Sequence, residues 1–221
     1  MPTKITSFFL LFIMTIGVSA VFLALPRAMS AFHILSIKNE LSSQTLSEAQ
    51  YKKVKTGLQE ALAWSDDPEY YFFWERSLSK RGVDSAGEAM RRSFREERIS
   101  LLKKGLSRAP ARPYEWARLA HLYSLQDHAH LAHKALKMSV YTGPNIRPLH
   151  LSRLFTLSKI WLELDFADRN FFYKEAELAF RYDRSKVIRF SKINKNMRRV
   201  FKETWSADQL KLLSYYKLLL R

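Results

Sequence analysis

The 221-residue chain is long enough for one sizeable core plus an appendage, and its 47% hydrophobic and 14% aromatic content is ample for packing, which excludes a largely disordered protein. Only 6 Gly and 7 Pro, with no sustained alternation of apolar and polar residues, argue against a sheet-rich fold, and the absence of Cys excludes disulfides, thiolate metal sites and cysteine nucleophiles. Lys and Arg outnumber Asp and Glu by 37 to 21, and the resulting net charge of +16 attracts anionic partners over long range: nucleic acid, lipid headgroups, an acidic polysaccharide or an acidic protein.

Taken in chain order, the first element is the uncharged run Ile5–Leu25. Its 21 residues, at about 1.5 Å each in a helix, match the roughly 30 Å hydrocarbon core of a bilayer. Val18-Ser19-Ala20 offers small residues of the kind signal peptidase cuts after, but the apolar run continues unbroken past them and little positive charge precedes it. Residues 1–27 are therefore read as a retained transmembrane anchor, with a signal peptide as the alternative. Lys4 on one side is nearly balanced by Arg27 and Lys38 on the other, so charge does not fix the orientation. Residues 28–46 are read as a linker.

A helical domain is expected over 47–221. From Ser47, Ala49, Val54, Leu58, Ala61 and Leu62 recur at helical spacing, and Ser65-Asp66-Asp67-Pro68 reads as a stop and a new start, with Asp67 as N-cap and Pro68 at the first helical position. The helix that follows carries Tyr70, Tyr71, Phe72, Phe73 and Trp74, most of which must be buried. A loop at Arg81–Gly87 leads to a long helix, about Gly87 to Ser107, with an apolar stripe of Met90, Phe94, Ile99, Leu102 and Leu106.

Pro110–Pro144 is the most informative stretch. Trp116, Leu119, Ala120, Tyr123, Ala132, Leu136 and Pro144 fall at the places that a tetratricopeptide unit of about 34 residues reserves for them, with Ser139 where the late Ala is usual. Trp74 forms a faint echo 42 residues earlier, since both Trp residues follow a Pro by six positions and precede x-Arg. Two more helical patterns, Leu149–Leu164 and Asp168–Tyr182, suit an antiparallel pair. Ser185–Lys202 reads as one basic amphipathic helix with Phe190, Ile193, Met197, Val200 and Phe201 on one side and Arg189, Lys192, Lys195, Arg198, Arg199 and Lys202 spread over the other. Arg181–Arg221 holds 12 basic and 3 acidic side chains, more than half of the total excess. Ala207–Leu220 has the pattern of a capping helix. The fold expected is all-α: an N-terminal transmembrane helix followed by a degenerate tetratricopeptide-like α-solenoid of antiparallel helix pairs.

No catalytic constellation emerges. Asp127, His128, His130 and His133 are close in sequence, but His128 and His130 point apart on a helix and further ligands are not evident, so no metal site is expected. Gly82–Gly87 has one residue too many for a nucleophile elbow and no preceding strand. The tetrads Ser77–Lys80 and Ser100–Lys103 match Ser-x-x-Lys without its companion motifs. Phosphate loops, dinucleotide fingerprints and zincin motifs are missing from the sequence, so neither a cofactor nor an enzyme is expected. A concave surface is expected from first-helix residues that do not pack in the core, namely Tyr114, Ala117, His121 and Ser124, with Arg118 nearby. The basic residues of 185–202 have three readings: a solvated face, a surface for anionic lipid or polysaccharide, and a nucleic-acid site, placed last because it lacks a recognised signature.

Arg108-Ala109-Pro110, Trp116–Ala120, Ala135–Val140 and Thr142–Asn145, behind one N-terminal apolar segment, resemble small tetratricopeptide-like proteins found with bacterial exopolysaccharide and O-antigen biosynthesis machinery. The resemblance implies an accessory role in polysaccharide assembly or export, with no catalytic residues to carry over. It implies a single-pass protein of the bacterial inner membrane with a periplasmic helical domain that binds protein partners. A different class of function is an envelope protein that binds an anionic glycan or lipid surface through its basic C-terminal residues.

Overall fold

The structure, a computed structural model, describes residues 2–81 and 87–204. The loop expected at Arg81–Gly87 lies in large part outside these residues, as does the whole of the capping helix expected at Ala207–Leu220. The described residues are all helical, without a β-strand, as the composition implies. After Arg108 the chain divides into two compact units, each with its own core.

The first unit begins with helix α1 (Pro2–Ser36), which carries Pro26 in its interior one residue past the uncharged run. It continues through α2 (Lys38–Ser42), α3 (Glu48–Trp64), α4 (Pro68–Ser79) and α5 (Glu88–Arg108). Residues 28–46, read from sequence as a linker, are thus helical over most of their length and packed. Ile37 is buried with Val54, Leu58, Ala61 and Tyr70, and Ile34 and Leu41 pack against that cluster. Gly57 makes the approach of α1 to α3 possible, because a Cβ there would stand 2.8 Å from Ile37 Cγ2. Ser47 starts α3 with a capping box: its hydroxyl accepts from Gln50 N at 3.3 Å, and its own N–H donates to Gln50 Oε1 at 2.9 Å. Asp67 caps α4 by accepting from Glu69 N, with Pro68 at the first helical position as the sequence indicates.

The aromatic run of α4 divides by face. Tyr70 and Phe72 are buried, whereas Tyr71, Phe73 and Trp74 are half-buried. Phe72 lies against α5 at Gly105, where any Cβ would overlap its ring. Burying a ring of this size stabilises by about 1.5–3 kcal/mol relative to leaving it exposed. A second cluster, Leu46, Tyr51 and Leu78 with Phe94, closes the end of the unit away from Pro68. Glu75 is fully buried and is neutralised by Arg98, whose Nη2 lies 2.8 Å from its Oε1.

The second unit comprises α6 (Pro113–Ser124), α7 (Ala129–Thr142), α8 (Arg147–Ile160), a 3-10 turn (Trp161–Glu163), α9 (Phe166–Tyr182), α10 (Arg184–Ile193) and α11 (Lys195–Thr204). The α6–α7 pair turns through Asp127, which adopts the left-handed φ of 57° that Asp tolerates better than most residues. Leu119, Ala120 and Leu122 meet Ala132, Ala135 and Leu136 in its core, and α8 packs on both helices. Trp161, Phe172, Val187, Met197, Val200 and Phe201 are fully buried. The expected single basic helix over Ser185–Lys202 is two helices. Asn194 ends α10 in an extended conformation, and its side-chain oxygen accepts from Met197 N at 3.1 Å, so it caps α11.

Candidate functional site

The sequence-derived groove residues separate along α6. Tyr114 is 46% exposed, Arg118 and His121 are half-buried, and Ala117 and Ser124 are buried at 4% and 7%. Ala117 and Ser124 therefore cannot line an open surface. The helix α6 packs on both α7 and α8, so it has no free face along these positions. The Ser124 hydroxyl donates to His121 O within its own helix. Trp116 is half-buried and donates its indole N–H to Pro110 O at 2.7 Å, consistent with a packing role.

Of the basic set, Arg189, Lys192, Lys195, Arg199 and Lys202 are exposed and Arg198 is half-buried. The two sets meet at one place. His121 stands 6.0 Å from Phe155 of α8, which stands 6.0 Å from Phe190 of α10, centroid to centroid. Phe155, Phe190, Asn194, Lys195 and Asn196 line an open depression of about 360 Å³. Lys159 places its ammonium 5.1 Å from the centre of the Phe155 ring, and partial burial pushes that group below its ordinary pKa. The depression thus combines two aromatic walls, two amide side chains and the Lys195 cation, with Lys159 over the Phe155 ring.

A buried ionic cluster between α7, α8 and α9 escaped the sequence reading. Arg153 is fully buried and donates from Nε to Ser139 Oγ at 2.9 Å, and from Nη2 to Ser139 O at 2.5 Å and Gly143 O at 2.7 Å. Its Nη1 lies 3.4 Å from Glu175 Oε1. His150 donates from Nδ1 to Glu175 Oε2 at 2.8 Å and stacks on Tyr182. Burial pulls the Arg153 guanidinium below its ordinary pKa, against the opposing pull of Glu175. The Ser139 hydroxyl also donates to Pro113 O at 2.7 Å. Arg153 therefore caps the last carbonyls of α7 while Ser139 ties α7 to the start of α6. The cluster is sealed from solvent and joins helices; it does not face a ligand. Its signal in the sequence was Ser139 in place of the usual Ala, with His150 and Arg153 on the apolar stripe of α8.

The His-rich turn comes apart. His133 Nε2 lies 3.0 Å from Asp168 Oδ1, whose carboxylate also takes Lys137 Nζ at 2.5 Å, and His128 sits near Tyr123. Among the described residues, three or more His, Asp or Glu side chains do not converge on a point that could hold a metal ion.

At the other end of the chain, α1 is the one helix among the described residues long and apolar enough to cross a membrane. Phe12, Ile13, Met14, Ile16, Val18, Val21, Phe22 and Leu23 are all at least half exposed, with Phe22 at 73% and Leu23 at 75%. No protein-family model matches the chain, and comparison with curated proteins and with solved structures finds no match.

Proposed function

We propose that the protein is a non-catalytic, membrane-anchored helical scaffold that holds protein partners in a bacterial cell-envelope complex for polysaccharide biosynthesis or export, with α1 as its single span and its helical part in the periplasm. The observation that carries the anchoring is the uncharged, predominantly apolar surface of α1 between Phe12 and Leu25, which no other described residue covers and which water would penalise by about 25 cal/mol per Å². Helix pairs that each bury one face and leave another in solvent suit partner binding. On α6, Tyr114, Arg118 and His121 remain the residues that can reach a partner.

Substitution of Tyr114 and His121 by Ala in the full chain should weaken crosslinking to membrane synthase or export components while leaving the circular dichroism spectrum that of the folded helical chain. Unaltered crosslinking would remove this surface from the reading. Protease digestion of the helical units in spheroplasts, but not in intact cells, tests the periplasmic placement.

A second reading rests on the exposed Arg189, Lys192, Lys195, Arg199 and Lys202, of which Lys195 lines the aromatic depression: binding of an anionic glycan or lipid surface. Here the nanodisc-held chain should retain acidic polysaccharide at low salt and release it as salt rises, because the contact is between exposed charges. Failure to bind at low salt would end that reading.

A further inference from the structure

The first unit fixes where its own helix ends lie along α1. Ile37 Cγ2 meets Gly57, and His33 Nδ1 lies 3.0 Å from Glu60 Oε2, so α1 and α3 run antiparallel with known register. The pairing continues to Tyr70 at the start of α4, whose hydroxyl donates to the buried Ser30 Oγ at 3.0 Å. Trp64, four residues past Glu60 on α3, therefore reaches the level of Met29, four residues from Leu25 at the end of the uncharged run. At a helical rise of about 1.5 Å per residue the separation along α1 is about 6 Å. The headgroup layer on each side of a bilayer is of order 5–7 Å thick, the depth at which Trp and Tyr collect.

Trp64 ends α3 at 44% relative exposure, so part of a large side chain with an apolar body and a polar N–H faces solvent at this level. Arg27 is exposed two residues past Leu25 on α1, and Arg108 ends α5 beside Asp66, two residues past Trp64. Arg108 Nε lies 2.5 Å from Asp66 Oδ2, and its guanidinium lies over the ring of Tyr71 at 5.1 Å. Asp66 also accepts from the Tyr71 hydroxyl at 2.7 Å. The Arg108 charge is already paired with Asp66, so the attraction argued for here is that of an aromatic side chain at a polar–apolar boundary and does not require anionic lipid.

We propose that the α3–α4 turn, led by Trp64, rests in the headgroup layer of the bilayer that α1 enters, so that the first unit touches the membrane at two places. The inference rests on the reading of α1 as a membrane span.

The cysteine-free sequence allows a direct test in the full chain. Single cysteines at Phe22, at Ala63 beside Trp64, and at Met90, exposed at the opposite end of α5 from Arg108, would carry an environment-sensitive fluorophore in phosphatidylcholine vesicles. Quenching would be compared for nitroxides in the acyl chain, nitroxides in the headgroup and aqueous iodide. The expected pattern is acyl-chain quenching at position 22, headgroup quenching with several-fold shielding from iodide at position 63, and iodide quenching alone at position 90. Adding Trp64→Ser to the Ala63→Cys chain should raise iodide quenching toward that at position 90. A label at 63 that behaves like that at 90, with 22 still in the acyl region, overturns the headgroup contact and leaves the anchor standing. The absence of any change on Trp64→Ser overturns the role of Trp64. A label at 22 reached freely by iodide overturns the anchor and the inference with it.

Discussion

At the residue scale, Ser139 joins a departure from the repeat pattern to a structural cause. An Ala there would match the pattern but would strip Pro113 O of a donor and Arg153 Nε of an acceptor. Ser139→Ala should therefore lower stability by about 1–3 kcal/mol, the cost of buried groups left unmet, measured as a shift in denaturant midpoint. Glu175→Ala should cost more, about 3–5 kcal/mol, because it leaves buried Arg153 without its counter-charge. His133 supplies a pH test. Burial holds its pKa below the ordinary value, and nearby Lys137 and His130 act in the same direction, while Asp168 opposes them. A depressed histidine stabilises the fold while it is neutral in both states, and that contribution is lost as pH falls from about 6.5 through the lower folded value. Asp168 is destabilised as a carboxylate by burial, but the hydrogen bond from Lys137 and the pair with His133 bring its pKa below the ordinary value, so its own loss comes at more acid pH. Melting points of His133→Gln should accordingly vary less with pH just below 6.5 than those of the parent chain; parallel curves would contradict this account.

At the scale of elements, what could be read from the sequence was what depends on neighbours a few residues apart. The Asp67-Pro68 start of α4 and the amphipathic stripe of α3 are local features, set by hydrogen bonds and periodicity within one or two turns. The division at Asn194 is local too, yet it was hidden because Phe190, Met197, Val200 and Phe201 keep helical spacing across it, and Asn is only mildly unfavourable inside a helix. Removing the cap in Asn194→Ala should cost about 1 kcal/mol and raise the helical shifts of residues 193–196 in NMR spectra. Ala117 and Ser124 show the opposite limit. Their burial depends on how α7 and α8 pack on α6, contacts between separate segments that no periodicity within α6 reports. The Phe155–Phe190 depression was illegible for the same reason, since its walls come from α8, α10 and α11.

For the whole molecule, the apolar helix and the +16 charge offer two different ways of holding the chain at a membrane, and they separate experimentally. Apolar burial is insensitive to salt, whereas attraction between exposed charges is screened within about 10 Å at 0.1 M salt. The full chain should stay in the membrane pellet through high salt and alkaline carbonate and leave it only with detergent. Release by salt alone would assign attachment to the basic residues and not to α1.

Pro26 gives this attachment a mechanical side. It lacks the N–H that would bond to the carbonyl four residues earlier, and it stands between the apolar length of α1 and the stretch clamped by Ser30, His33 and Ile37. The stretch Ser30–Ile37 is held against α3 and the start of α4 by these contacts. On the proposed reading of α1 as a span, a bilayer thicker or thinner than the apolar run would tilt that helix, and the turn at Pro26, short of one hydrogen bond, would set how much of the tilt reaches α3.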